Sequence, residues 1–172
     1  MSDADAPSES VAGDTDVGDA DAGADDPYVE VVRAVGHEHV TAEHASTFEL
    51  TTDDWLTPAG DCILGVEADR TPRDFSAEFR EACQDESATI EATLVVDAGD
   101  EEYRETITGR GDPGLALVDD RSMVGRTSDY TDDERTVLVD GDGAAADLDR
   151  DLVAALADGA DLTLRLEVIP AE

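Results

Sequence analysis

Residues 88–109 read ATIEATLVVDAGDEEYRETITG. Ile90, Ala92, Leu94 and Val96 alternate with Glu91 and Thr93, the period-two pattern of a strand with one face in a core. A DAGDE turn leads into EEYRETITG, so the stretch is predicted to be a hairpin with antiparallel pairing. The same alternation returns at the end of the chain, where Leu162, Leu164, Leu166 and Val168 interleave with Thr163, Arg165 and Glu167. Shorter strands are expected at YVEVVRAV from Tyr28, near residues 41–51 ending in STFELT, at DCILGVEA (61–68) and at ERTVLVD (134–140). RGDPGLALVDDRSMVGRTSDY is glycine-rich and irregular, with short extended pieces.

Two segments carry helical spacing instead. Thr71, Pro72 and Asp74 supply an N-cap, a proline at the first helical position and an early acidic residue, which predicts a helix over about 72–84. Phe75, Phe79, Ala82 and Cys83 share its apolar face. Asp147 is the expected cap of a second helix over 148–157, with Leu148, Leu152, Ala155 and Leu156 inward and Gly159 as the stop. No internal repeat emerges. The fold class expected is mainly β (α+β), an antiparallel sheet or sandwich with two covering helices.

Composition bounds the setting. The chain has 172 residues and no lysine, and 45 acidic residues face 11 basic ones, a formal net charge of -34. In molar salt the Debye length is about 3 Å, so such a surface is tolerable there and the acidity describes the solvent. A halophilic, cytoplasmic protein is expected. Residues 1–27 hold only Val11 and Val17 as sizeable apolar side chains and are predicted to be a disordered acidic tail, with residues 28–172 forming a single domain. There is no secretory signal pattern and no apolar run long enough for a membrane span. Because salt also screens the charge, a nucleic-acid partner is not excluded.

Chemistry-bearing residues concentrate in two blocks. GHEHVTAEHASTFELTTDDWLTPAGDCILGV (36–66) holds all three histidines, the single tryptophan and Cys62. His37, His44 and Asp61 are candidate ligands for a divalent metal, since neutral imidazole and carboxylate suit such ions; the spacing matches no metal signature, and the histidines also suit hydrogen-bonded packing beside a sheet. Cys62 and Cys83 are expected as free thiols, Cys62 a candidate nucleophile or a small apolar filler, Cys83 a packing residue. Trp55, in a polar loop, suits stacking on a flat ligand or covering a sheet edge. In the second block, Arg126, Ser128, Arg135 and Arg150 are candidates for an anionic small ligand, because guanidinium forks match phosphate and carboxylate geometry. Internal ion pairs are the competing use of the same arginines.

Several runs resemble a known family. Val35-Gly36-His37, Ala42, His44, Thr47 to Thr51 and Leu56 to Ile63 are similar to the signature block of domain of unknown function 371 (DUF371), an archaeal family. Val124 to Tyr130, Arg135-Thr136 and Ala144 to Arg150 resemble that family's second block, in the same order. The resemblance spans residues 28–169; with the acidic composition it implies a haloarchaeal member and a jelly-roll-like β-sandwich, and it carries no activity across. The leading functional reading is a binding or regulatory domain with a polar His/Arg cleft. A metal-dependent hydrolase built on His37, His44 and Asp61, with Glu43 as general base, is the second, and an RNA-associated protein resting on Trp55 and the arginines is the third. Catalysis is left open by the sequence.

Overall fold

The computed structural model describes residues 26–172; the predicted acidic tail lies outside these apart from Asp26 and Pro27. Among the described residues eight strands form two four-stranded sheets: β1 (Val29–Val35), β2 (Thr47–Thr51), β3 (Ile63–Gly65), β4 (Thr89–Asp97), β5 (Glu102–Arg110), β6 (Ser122–Arg126), β7 (Thr136–Leu138) and β8 (Asp161–Ile169). The first sheet has the order β1-β8-β4-β5 and the second β3-β2-β6-β7. The predicted hairpin is β4–β5, paired antiparallel from Thr89↔Arg110 to Asp97↔Glu102. Mainly β with two helices is therefore the architecture of the described residues, and antiparallel pairing dominates it; among them only the short edge strands β3 and β7 pair parallel to their neighbours. Single bridges, Val35↔Val66 and Arg110↔Val139, tie the sheets at two corners without closing a barrel.

The alternation seen in the sequence sends Ile90, Ala92, Leu94, Leu162, Leu164 and Leu166 inward, where they meet Phe48, Leu50, Leu64 and Leu138. Helices α1 (Ala77–Cys83) and α2 (Arg150–Ala157) add Phe79, Cys83, Leu152 and Leu156 to the same core.

Both helices start later than predicted. Thr71-Pro72-Asp74 is used up by a separate 3-10 turn, in which Asp74 accepts from the Thr71 backbone N–H at 2.9 Å. Extended Phe75 then breaks the path and Ser76 caps α1, accepting from Phe79 N. Likewise Asp147 closes a 3-10 turn over Ala145–Asp147, Leu148 is extended, and Asp149 caps α2. Extended Phe75 and Leu148 drop their side chains into the core, burial worth about 1.5–3 kcal/mol each, which outweighs one continued helical turn.

The two halves repeat one another, contrary to the sequence reading. Thr47–Thr51 lies 75 positions before Ser122–Arg126, Pro72–Asp74 lies 73 before Ala145–Asp147, and Thr89–Asp97 lies 72 before Asp161–Ile169. Exchanging the halves leaves both strand orders unchanged, as an approximate twofold axis requires. Hydrogen bonds repeat too. Asp69 and Asp142 each accept from a strand N–H, of Arg33 and Thr108. Glu30 and Glu105 each accept from the N-cap backbone of a helix, at Ser76 and Asp149. Ala42 and Leu117 share a left-handed backbone, as do Glu67 and Asp140. Gly36 and Gly111 match as well: a Cβ there would lie 1.9 Å from the Leu156 carbonyl oxygen and 2.3 Å from that of Cys83.

Candidate ligand site on the second sheet

Phe48, Leu50 and Met123 face the core, so the alternate residues Thr47, Glu49, Thr51, Ser122, Val124 and Arg126 face away from it. Antiparallel β2–β6 pairing sets Thr47 opposite Arg126 and Thr51 opposite Ser122. At the centre of this face Glu49 accepts from Arg135 Nη1 at 3.1 Å and from the Cys62 thiol at 3.3 Å, and Arg135 also donates to Ser122 Oγ. Burial, and then the neighbouring Glu49 charge, push the Cys62 thiol up to about 11, so it is protonated near neutrality and unsuited to act as a nucleophile.

Toward the end of β2, Arg121 grips both carboxylate oxygens of Asp53, its Nη2 at 2.7 Å. That hydrogen bonding holds the Asp53 carboxyl below its ordinary value. With Arg121 61% exposed, solvent and salt screen the pair, and it positions the two side chains more than it stabilises the fold. Beside it stands Trp55, 55% exposed. Glu49, Thr51, Asp53, Trp55, Asp119, Arg121, Ser122, Arg135 and Ile63 line a cleft of about 350 Å³.

The opposite end of the same face carries the counterpart of that cleft, filled by the chain itself. Tyr130 matches Trp55, and Arg126 matches Thr51. The Arg126 guanidinium lies 4.8 Å from the Tyr130 ring centroid, donates to Thr136 Oγ1 at 2.9 Å and pairs with Asp133 at 2.7 Å. Burial works to raise the Asp133 carboxyl; hydrogen bonds from Thr136, Arg126 and the Arg135 and Thr136 backbone outweigh it and hold the group low.

The candidate residues named from the sequence are spread over this part of the molecule. His44 uses Nδ1 as an acceptor for the backbone N–H groups of Ser46 and Thr47, at 3.3 and 3.2 Å. Its counterpart Asp119 does this with a carboxylate for Arg121 and Ser122. His37 Nδ1 accepts from His39 N as Asp112 accepts from Gly114 N. Both imidazoles thus stand in for turn aspartates, with Nδ1 as the accepting atom. Asp61 meets His44 through its backbone carbonyl, which accepts from Glu43 and His44. Among the described residues no three or more His, Cys, Asp or Glu side chains gather as a metal set.

Of the arginine block, Arg126 and Ser128 flank the Tyr130 half-site and Arg135 borders the Trp55 cleft. Arg150 belongs to neither: its guanidinium donates to the carbonyls of Thr41, Ala42, Ala145, Ala146 and Leu148, binding the histidine loop to the start of α2. The histidine and arginine blocks do meet, where Thr127 donates through N and Oγ1 to the Ser46 carbonyl. Glu49, Asp53 and Arg121 were not anticipated as site residues. Their signal was the outward alternation within TFELT and the spacing that places Asp119 and Arg121 where the first half has His44 and Ser46.

The sequence profile of DUF371, a domain of unknown function, matches residues 32–169, from the first strand to the end of the last. The chain belongs to the DUF371 family. An uncharacterised protein of Methanocaldococcus jannaschii is similar to it, with 35% identity over 138 residues that cover 80% of this chain and 98% of the relative. The match takes in both halves, so the repeat lies inside one DUF371 domain. No helix among the described residues is long and apolar enough to cross a membrane.

Proposed function

We propose that this DUF371 protein is a non-catalytic binding module and that its ligand seat is the Trp55 cleft on the second sheet. The carrying observation is the contrast within that face: one half-site is closed by Arg126 on Tyr130, and its counterpart leaves an exposed tryptophan over half-buried polar groups. A concave site with an aromatic wall and a few fixed charges is the usual form of a small-molecule pocket. Both arginines that border the cleft have an internal partner, so an anion would have to displace Glu49 from Arg135 or Asp53 from Arg121. The acidic composition supports a working environment of molar salt, in the cytoplasm, with residues 28–172 acting as one domain. The hydrolase reading has less support, because His37 and His44 use Nδ1 as acceptors in turns.

The test is a thermal-shift screen of small anions, cations and planar metabolites in molar KCl, followed by Trp55→Ala and Arg121→Ala. Expected is a ligand whose stabilisation disappears in both variants while the unliganded Tm stays within about 4 °C of wild type, as for surface changes. A ligand bound equally well by both variants would move the site elsewhere.

A further inference from the structure

The repeat carries the ligand chemistry one step further, on the reading that the Trp55 cleft is the binding site. In the second half the aromatic side chain at this place has a guanidinium lying on it, supplied by Arg126 from the strand and held by Asp133 and Thr136. In the first half the strand residue is Thr51, too short to reach over Trp55. Neither of the two cation–π contacts among the described residues involves Trp55. The ring borders open cleft instead, with Glu49, Asp53 and Asp119 outnumbering Arg121 and Arg135 around it. Asp119 uses Oδ2 for the turn, and Oδ1 has no hydrogen bond among the described residues. Tryptophan is the strongest of the aromatic cation partners, and the contact is short-ranged enough to persist when salt screens distant charges.

We propose that the Trp55 cleft binds a guanidinium group from outside the chain, occupying the place that Arg126 fills in the other half. The test uses the full chain in molar KCl, with the fluorescence of Trp55, the sole tryptophan, as readout. Agmatine is titrated against KCl of equal ionic strength, beside inorganic phosphate and a blocked Gly-Arg-Gly peptide. Saturable quenching by agmatine, half-complete near about 1 mM, is expected for one aromatic contact and one or two charged hydrogen bonds. Thr51→Arg, which recreates the internal guanidinium, should abolish it. Thr51 is buried, so Trp55→Ala followed by calorimetry provides a second check at an exposed position and should also abolish binding. Tenfold tighter binding of the peptide than of agmatine would identify the guanidinium as part of a polypeptide, and the reverse order as a small molecule. Quenching by phosphate and not by agmatine would overturn this inference and leave the cleft as a binding site. Agmatine binding that survives Trp55→Ala would place the cation elsewhere. No response to any of the three probes would defeat the inference, and the screen of the cleft variants would then decide the wider reading.

Discussion

His44 and Asp119 hold the same turn in the two halves, one with a ring nitrogen and the other with a carboxylate, and Cys62 and Arg135 stand at the same place beside Glu49. The backbone treats the members of each pair as interchangeable. Hydrogen bonds to turns, helix caps and corner bridges recur at matched positions, whereas side chains on the outer face of the second sheet diverge: Thr51 against Arg126, Trp55 against Tyr130, Glu49 against Val124. A twofold scaffold constrains what the core and turns need and leaves one face free to differ. The difference between the halves is thus the best indicator of where this molecule does something specific.

The equivalence can be broken most severely at its two close approaches. Gly36→Ala and Gly111→Ala each drive a Cβ into a helix carbonyl, and both are expected to lose about 3 kcal/mol or more, enough to prevent folding of a marginal domain. Expression and circular dichroism in molar KCl check this, and tolerance at one site alone would show that the helices do not dock equivalently. Next come the matched core anchors. Phe79→Ala is expected to cost about 3–5 kcal/mol and Leu152→Ala about 2–5, read from urea midpoints.

Asp133 tests an asymmetry. A carboxyl held below its ordinary value stabilises the fold fully above that ordinary value and stops doing so as pH falls through the lowered one. Asp133→Asn should therefore cost about 1–2 kcal/mol at neutral pH and flatten the loss of stability on acidification. An unchanged acid limb would mean that Arg126 does not depend on this partner. At the matched turns, His44→Ala should cost about 1 kcal/mol and His44→Asp almost nothing, because a carboxylate restores the acceptor; equal losses would refute the substitution of imidazole for aspartate. The smallest effect is expected at the exposed left-handed residues. Glu67→Gly should stabilise by about 0.5–1 kcal/mol through relief of positive φ. Asp140→Gly should be near neutral, since it also removes the Arg110 ion pair.

Strands were legible because their alternation is a direct print of burial, and the 88–109 hairpin and the last strand emerged with nearly their full extent. Helix starts were misplaced because Thr71-Pro72-Asp74 and Asp147 satisfy the same rules in a 3-10 turn as in an α-helix, and only the core could show that Phe75 and Leu148 had to be extended. The repeat stayed hidden for a related reason. What recurs is a hydrogen-bonding role, filled by His37 in one half and Asp112 in the other, and the spacing slips from 75 to 73 to 72 between elements. Trp55, Arg126 and Arg135 stood out by scarcity, but which of them face open space depends on Thr51 being short where Arg126 is long.

The strand order also sets a timetable for synthesis. β1 is an edge strand whose neighbour in the first sheet is β8, with Val35 facing Asp161 across nearly the whole chain. At about 5–20 residues per second on the ribosome, β1 waits roughly ten seconds for that partner. During that interval the apolar side chains of VEVVRAV have no β8 to pair with. The interleaving that joins the two halves makes the first strand of the described residues wait for the last.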